Sequence, residues 1–537
     1  MKRLFITTVS ALALLALPTP ASAQHQHMPG MDMPAKKRPA AKKTSVERLA
    51  AAKKKSSVKK PAAPKKAAAP MQKVATHEEH APASSTSSPG AVEQGTIPTN
   101  TNPDHTEHGQ MPMHRQPQPG ATTAAPPTRH SQMVHIGSPP QEHASHGAMT
   151  GALGPYPMPR ESSGTAWQPD MTEHAGLVAE TGDWALMTHG VLNLVYDHQG
   201  SRRGDNKAFA SGMLMGTARR PLRNGTLQFK AMVSPDPLMG KSGYPLLLAS
   251  GETADGVEHL VDRQHPHDFF MELSGSVSQN VGSKSSVFVY AGLPGEPAFG
   301  TPAFMHREAI LDSPEAPISH HWLDSTHITM GVVTAGLVID RVKVEASRFN
   351  GREPDQHRWN IETGSLDSTA VRISWNPTSE LSLQGSWGHF EEPEQLEPGV
   401  DQKRWSASAL YARDIAPGWK FAGTLAWGRK TIKDHHGGRQ NDDAYVVEAS
   451  LKHRTWTIFG RGEVTENREL VEGEEHGPAY RVGKVSLGAV KDFRVAEHLS
   501  LGAGSLLAIN FIPDGVEPLY GKSNPIGAMG FLRLKLD

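Results

Sequence analysis

The sequence predicts an all-β protein: a transmembrane antiparallel up-and-down β-barrel of about sixteen strands, preceded by a disordered N-terminal tail. Two observations carry this prediction. From Trp184 to Asp537, stretches of about ten residues alternate apolar and polar side chains, as in strands with one face in lipid and the other in water. The connections between these stretches alternate between short turns and long loops, which is typical of outer-membrane barrels. The barrel domain is assigned to residues 166–537.

The predicted strands are even in number, as expected for a barrel of this type. Short connections such as Gly282-Ser283 and Ala416-Pro417 contain turn residues. Because a pattern places strand boundaries only to within about two to four residues, fourteen strands is the alternative count. A soluble β-sandwich is the other architecture, and the alternating connections disfavour it. The sixteen predicted strands are 184–197, 207–218, 225–234, 267–280, 284–293, 325–335, 339–350, 367–376, 379–390, 404–415, 418–429, 442–453, 455–466, 479–492, 497–510 and 526–536.

The alternation within strands assigns each side chain to one of two faces. Val342 and Val344 alternate with Lys343 and Glu345, and residues 532–536 repeat the pattern in the last strand. One face is therefore expected to contact lipid and the other to face the lumen. Tryptophans near strand ends suit the aromatic girdles at the two membrane surfaces; they are Trp375, Trp405, Trp419, Trp427 and Trp456.

The N-terminus has the composition of a secretory signal, so residues 1–23 are assigned as a signal peptide. Lys2 and Arg3 form its positive region, residues 4–17 its apolar segment, and the Ala-Ser-Ala run at 21–23 its cleavage site. No later apolar run reaches the roughly 18 residues of a membrane helix. The chain contains no cysteine, which excludes disulfides, thiolate metal sites and thiol nucleophiles. Binding of soft metals would therefore use methionine and histidine.

Residues 24–165 are predicted to form a disordered tail in the periplasm. Residues 1–66 carry fifteen Lys and Arg against two acidic residues and are rich in Ala and Pro, a composition that cannot bury a core. This basic part is either a solvated spacer or a tether to anionic lipid or cell-wall polymers.

Histidine and methionine recur along the same tail, which indicates binding of a soft metal ion. Thioethers and imidazoles a few residues apart on a flexible chain can wrap Cu(I). The alternative is a polar tail in which these residues are merely tolerated. The candidate ligands are His25, His27, Met28, Met31, Met33, His105, His108, Met111, Met113 and His114. A tail of this composition is similar to the Met/His-rich leaders of the copper resistance protein B family, which are outer-membrane barrels.

The two longest predicted external loops, 235–266 and 294–324, collect histidines and carboxylates together with the strand ends that join them. Because neighbouring strands carry these loops, they can meet, and neutral imidazoles there could bind Cu(II) or Zn(II). His265 and His267 are the sharpest pair, since a spacing of two in an extended segment places both rings on one face. The candidate ligands are His265, His267, Asp268, His306, His320 and His321.

These loop residues also have a purely structural interpretation. The imidazoles could simply hydrogen-bond to Asp262 or Asp268 at the start of a strand. Charged residues such as Arg307, Glu308 and Arg358 would then form an ion-paired lattice that folds the long loops inward.

Three segments resemble an uncharacterised family of Gram-negative outer-membrane β-barrels. They are HPHD at 265–268, SHHWLDSTH at 319–327 and GREPDQHRW at 351–359. The resemblance implies an outer-membrane location and indicates that the loops, rather than the tail, define the family. It implies no particular activity.

An enzyme is not expected. Ser319, Ser325, His321, His327 and Asp324 contain the parts of a Ser-His-Asp triad, but the sequence has no nucleophile elbow of the G-x-S-x-G type. An outer-membrane hydrolase is therefore kept only as the second alternative.

The main prediction is an outer-membrane barrel of a Gram-negative bacterium that handles soft or borderline metal ions, with copper as the expected ion. The tail would collect Cu(I), the loops would bind Cu(II) or Zn(II), and the barrel would serve in binding, resistance or export. Expected partners are outer-membrane lipid, metal ions, and cell-wall polymers or periplasmic metal carriers, but not nucleic acid. The first alternative is a general or substrate-selective porin with a cell-wall-tethering tail.

Overall fold

A computed structural model describes residues 149–173, 176–433, 438–471 and 477–536. The predicted signal peptide and the tail up to residue 148 lie outside the described residues, as do all ten candidate ligands of the tail. None of the helices in the described residues is long and apolar enough to cross a membrane.

The described residues are dominated by long antiparallel strands, with only short helical turns between them. Among the helical turns are α1 (His320–Leu323) and α2 (Glu517–Tyr520). The strands are β1 (Leu177–Thr181), β2 (Trp184–Gly200), β3 (Asn206–Leu222), β4 (Gly225–Val233), β5 (Tyr244–Thr253), β6 (His259–Gln264), β7 (Phe270–Asn280), β8 (Ser285–Gly292), β9 (Val332–Ile339), β10 (Val342–Phe349), β11 (Ser368–Trp375), β12 (Leu381–Phe390), β13 (Gln402–Ala416), β14 (Trp419–Lys433), β15 (Arg439–His453), β16 (Trp456–Asn467), β17 (Tyr480–Ala496), β18 (Leu499–Phe511) and β19 (Ile526–Leu536).

Sixteen of these strands close into one barrel, which confirms the predicted fold class and the higher strand count. Strands β2 to β4 and β7 to β19 each pair with their neighbours in order, and β19 returns to pair with β2, with Phe531 opposite Val195. The short strand β1 forms a hairpin with the first residues of β2. Strands β5 and β6 form a separate two-stranded sheet inside one of the long loops.

The connections alternate in length as predicted. At one end of the barrel they are two to five residues long, and at the other end the segments 234–269 and 293–331 are the longest. One predicted strand, 325–335, is wrong at its start because Ser325–His327 form a 3₁₀ turn and β9 begins at Val332. Ile328 and Met330 alternate with a polar residue as they would in a strand, but this stretch lies buried before the barrel wall begins.

Side chains of the barrel strands divide into an apolar outer face and a polar inner face. In β10, Val342 and Val344 are exposed, whereas Lys343 and Glu345, which alternate with them, are buried. Large apolar residues on the outer face are 60–63% exposed at Leu425, Leu487, Leu507 and Leu532. A continuous apolar exterior is what a barrel wall in contact with lipid requires.

The first described segment lies inside the barrel, close to the short turns. Within residues 149–173, the carbonyl oxygens of Ala152 and Leu153 accept hydrogen bonds of 2.7 and 2.6 Å from Ser278 and Ser286 of the inner wall. Further along the segment, the Asn376 amide donates to the Gln168 carbonyl oxygen. Residues 149–165, which the sequence predicts to be part of the tail, thus contribute to the barrel interior.

The loop 293–331 also lies inside the barrel and contacts strands far apart around the wall. The backbone N–H of Ala298 donates to Ser347 Oγ of β10 at 2.7 Å. The indole N–H of Trp322 donates to the Asp442 carbonyl oxygen of β15 at 3.0 Å. This loop, together with the β5–β6 hairpin, buries an apolar core against inward-facing residues such as Phe459 and Phe531. Much of the lumen is therefore filled by the chain itself.

Candidate metal centre

Five histidines gather inside the barrel where its two longest loops meet; we call them the histidine centre. They are His265, His267, His320, His321 and His327. The first two follow β6, the next two open α1, and the last lies in the 3₁₀ turn that follows α1. All five are buried, with exposed fractions of 2–8%. Five imidazoles in one buried region make this the strongest candidate for a functional site.

The rings are close enough to share ions. The ring centroids of His267 and His327 are 5.1 Å apart, and those of His320 and His327 are also 5.1 Å apart. A metal–nitrogen bond is about 2.0–2.1 Å, so two imidazoles on one tetrahedral ion have centroids roughly 5 Å apart. The ring centroid of His265 lies 5.9 Å from that of His321 and 6.3 Å from that of His320. His265 therefore connects His321 to the other rings of the centre.

In each of the five rings, one nitrogen contacts an oxygen acceptor, and this contact fixes the orientation of the ring. Nδ1 of His267 lies 2.9 Å from Asp236 Oδ2, and Nδ1 of His320 lies 2.9 Å from Asp324 Oδ1. Nδ1 of His327 lies 2.8 Å from the backbone carbonyl oxygen of Asp324. A hydrogen bond at Nδ1 leaves Nε2 as the nitrogen that can coordinate a metal. On His267 and His327, Nε2 is buried and has no hydrogen-bond partner among the described residues.

Burial keeps several of these imidazoles neutral, which is the form that binds metals. Desolvation lowers the pKa of His265 to about 4, despite the opposing effect of Glu252, whose Oε1 lies 2.9 Å from His265 Nε2. Desolvation also lowers the pKa of His320, and it lowers that of His327 well below 6.5 with help from neighbouring imidazoles. These three rings therefore offer a lone pair near neutral pH.

His321 differs from its neighbours because it faces two carboxylates. Its Nδ1 lies 3.3 Å from Glu353 Oε1, and this contact outweighs desolvation and raises the pKa of His321 to about 9. Burial and the charge of Glu353 raise the pKa of Glu394 to about 7. One ligand atom from each of these three residues lies within 4.8 Å of the others, a compact group that could hold a cation. Arg404 lies 3.5–3.6 Å from both carboxylates, so an entering cation would compete with its guanidinium.

The other two loop candidates lie in different surroundings. Asp268 is fully buried and pairs with Arg358 at 3.2 Å, and burial raises its pKa to about 6. His306 lines a separate cavity on the inner side of β2 and β3. Of the six predicted loop ligands, the structure thus brings His265, His267, His320 and His321 together. Whether any of them binds a metal stays a prediction.

The proposed hydrolase residues do not form a triad. Ser319 Oγ donates to Glu463 Oε1 at 2.7 Å, and Ser325 Oγ accepts a hydrogen bond from Arg404 at 3.2 Å. Each candidate nucleophile is therefore engaged by a residue other than histidine. The carboxylate of Asp324 contacts Arg307 and His320, so it does not connect either of these serines to a histidine.

Several residues of the centre were not among the predicted ligands. His327 belongs to the histidine-rich loop segment that the sequence favours for metal binding, but it is not among the predicted ligands, and neither are Asp236, Glu252 and Glu394. Asp236 precedes His267 by 31 residues, so no local spacing connects them. A search for carboxylates in the same long loops as the histidines could have included Asp236 and Glu252 as orienting residues.

No known family model and no curated protein sequence matches the chain. Solved structures with a similar fold include OprB of Pseudomonas putida, with a TM-score of 0.45 and 10% identity over 66% of this chain and 94% of that one. OmpF of Salmonella typhi, in a complex with daunomycin, has a TM-score of 0.42 and 10% identity over 67% of this chain and 100% of that one. An anion-selective porin from Comamonas acidovorans has a TM-score of 0.39 and 12% identity over 66% of this chain and 100% of that one. These similarities concern the barrel architecture alone.

Proposed function

We propose that this chain is an outer-membrane barrel of a Gram-negative bacterium that binds a divalent cation, Cu(II) or Zn(II), at the histidine centre. The observation that supports this proposal is the orientation of the five buried imidazoles. Metal-binding histidines almost always donate their other ring N–H to a carboxylate or carbonyl group. Here four carboxylates and one backbone carbonyl contact the five rings.

The location of the centre indicates what binding would accomplish. The outer face of the barrel is apolar, whereas the centre lies in a lumen that residues 149–173 and 293–331 largely fill. Because the lumen is filled, we expect an ion to bind inside it and to pass only when a segment moves, rather than to diffuse freely through the barrel. In this proposal the Met/His-rich tail collects copper on the periplasmic side and works with the barrel in copper resistance or export.

A selective porin is the second candidate function. It is favoured by the closed sixteen-strand barrel and by the charged inner wall, which includes Lys343, Arg372 and Lys484. In this case the loop 293–331 would narrow the channel, and the histidines would hold that loop in place through hydrogen bonds.

Equilibrium dialysis of the refolded mature chain against Zn(II) and Cu(II), with a competing chelator, tests the metal proposal. We expect His267→Ala combined with His327→Ala to remove a tightly bound ion, because both unpartnered Nε2 atoms are lost. The control combines His357→Ala with His453→Ala, which lie outside the centre. The tail is present in both proteins, so its binding cancels in the comparison.

Equal metal content in the two variants would overturn the proposal. Planar-bilayer recording of the unaltered protein then separates the two candidate functions. A steady conductance without added metal supports the porin. A closed barrel whose conductance responds to Zn(II) or Cu(II) supports the metal-binding function.

A further inference from the structure

Six methionines form a contiguous group on the inner side of the barrel; we call them the methionine cluster. They are Met213, Met215, Met232, Met271, Met305 and Met330. Met213 and Met215 face inward from β3, Met232 from β4, and Met271 from β7, while the other two lie on the loop 293–331. Five of them are at most 9% exposed. Thioethers from four separate elements therefore meet at one place in the lumen.

The methionine cluster borders a cavity of about 180 Å³, which we call the chamber. Met213, Met215 and Met305 line it together with a further methionine, Met187. The imidazole-bearing residues His189 and His306 also line the chamber. Its volume exceeds that of several water molecules, so an ion could enter without displacing the wall.

Many of the charged groups that line the chamber are already paired with one another. Arg533 contacts both Asp312 and Asp492, and Lys420 Nζ lies 3.2 Å from Glu308 Oε1. Arg219 pairs with Glu161, and Lys452 pairs with Glu173. These pairs offset each other's charge, so hard cations gain little from the carboxylates. Thioether sulfurs, which carry no charge and form no ion pairs, are the ligands in this lining that suit a soft ion.

Ordinary apolar packing does not account well for this composition. Among the described residues, the largest apolar core contains 23 buried residues, of which two, Met239 and Met529, are methionines. The smaller apolar core that contains the methionine cluster has six buried residues among those described; five are methionines and the sixth is Ile328. Leucine, isoleucine and phenylalanine fill an apolar space with better-defined rotamers than methionine does. A concentration of thioethers beside a cavity is thus better explained by the ligand properties of their sulfur atoms than by apolar packing.

The methionine cluster is also adjacent to the histidine centre along the chain. Met271 follows His267 by four residues, and Met330 follows His327 by three. Met305 follows Phe304, whose ring lies 6.2 Å from His267 and 5.8 Å from His320. The two groups of ligands therefore lie close to each other in the lumen.

We propose that the methionine cluster and the chamber form a binding site for a soft monovalent cation, Cu(I) or Ag(I). Thioether sulfur is a soft ligand that selects Cu(I) over divalent ions. The site differs from the histidine centre in its ligand atoms and in the ion it takes, and it does not depend on divalent binding there. The lumen would then contain a nitrogen-ligand site for divalent ions and a sulfur-ligand site for soft monovalent ions.

Binding of Ag(I), a redox-stable probe for Cu(I), tests the proposal in the full mature chain. The variant Met213→Leu with Met215→Leu removes two thioethers at nearly constant side-chain volume, so the barrel is expected to fold. The control is Met239→Leu with Met529→Leu, which removes two buried thioethers outside the cluster. Equilibrium dialysis with a competing chelator, followed by elemental analysis, measures the bound Ag(I).

We expect the cluster variant to bind about one Ag(I) fewer than the control, because two thioether ligands are missing. We also expect its silver X-ray absorption spectrum to show less sulfur scattering. Zn(II) binding by the cluster variant should be unchanged, and the His267→Ala/His327→Ala variant should keep its Ag(I), so failure of this site and failure of the histidine centre are distinguishable. Equal Ag(I) content and equal sulfur scattering in cluster variant and control would overturn the proposal.

Discussion

Arg307 of the loop 293–331 and Glu448 of β15 form a two-point ion pair inside the barrel. Nε of Arg307 donates to Oε2 of Glu448 and Nη2 donates to Oε1, both at 2.7 Å, and neither side chain is exposed to solvent. Nη1 of the same guanidinium donates to Asp324 Oδ2, and Asp324 in turn orients His320. One arginine thus connects the loop, the barrel wall and the histidine centre.

Replacing this arginine should loosen the loop and open the lumen. In Arg307→Met, Glu448 keeps Arg461 as its one ion-pair partner in the described part of the chain, at 3.1 Å, and Asp324 loses its guanidinium contact. Breaking a buried ion pair by removing one partner costs about 3–5 kcal/mol. We expect larger and noisier single-channel conductance than in the unaltered protein, measured in planar bilayers.

Arg352→Met is the matched control for this measurement. Arg352 belongs to another long loop and pairs with Asp367 at 2.9 Å, but its side chain is 42% exposed. Exposed ion pairs contribute only about 0–1 kcal/mol, so this variant should conduct like the unaltered protein. An unchanged conductance in Arg307→Met would show that the pair does not keep the loop inside the lumen.

Asp236 should affect metal affinity without being a ligand. Its Oδ2 lies 2.9 Å from His267 Nδ1 and so determines which ring nitrogen is available to a metal. Loss of such a partner typically weakens metal binding by about 10–100-fold. We expect Asp236→Asn to weaken Zn(II) binding to this extent in a chelator competition assay.

The comparison for Asp236→Asn is Asp401→Asn. Asp401 also faces a histidine, His389, but at 4.0 Å and with a 53% exposed side chain. Its replacement should leave the Zn(II) affinity unchanged. If both variants bind Zn(II) as the unaltered protein does, the Asp236–His267 contact serves the fold and not a metal.

The barrel wall could be predicted from sequence because each strand has one face toward lipid, which requires apolar side chains, and one face toward the polar lumen. Leu532 and Leu534 alternate with Arg533 in β19, and the structure exposes both leucines while burying the arginine. The same logic fails for residues 326–331, which are buried on all sides within the lumen. Where no face meets lipid or water, alternation carries no information about structure.

The histidine centre was predictable only in part, for a related reason. His265 and His267 stand out in the sequence, and their spacing suggested one shared ion on one face. In the structure their rings are nearly perpendicular, at 89°, and each contacts a different carboxylate, Glu252 or Asp236. Those contacts depend on how two long loops fold together inside the barrel, which local spacing does not determine.

Acidification should loosen the histidine centre. Burial lowers the pKa of His265 from 6.5 to about 4, and it also lowers the pKa values of His320 and His327. The unfolded chain therefore takes up protons on these imidazoles at a higher pH than the folded protein. The stability that they provide is fully present above pH 6.5 and is lost as the pH falls towards 4.

Hydrogen exchange of residues 319–331 at pH 7 and near pH 4.5, corrected for the intrinsic exchange rate, measures this effect. We expect faster exchange of this segment at the lower pH, and a smaller pH effect in His265→Gln with His327→Gln, which cannot become charged. Strands β13 and β14 provide the internal reference, since their hydrogen bonds lie in the barrel wall. Equal protection of residues 319–331 at both pH values would contradict the prediction.

The outer face of the barrel should tolerate no charge near its middle. Leu487 lies at the centre of β17, opposite Leu507 of β18, and is 63% exposed. An arginine at the bilayer midplane of a barrel costs about 2–4 kcal/mol. We therefore expect Leu487→Arg to lower the free energy of unfolding by this amount in phospholipid vesicles. Leu238→Arg changes a leucine that is 72% exposed in a loop, and it should cost little. Equal unfolding free energies for the two variants would mean that β17 does not face lipid.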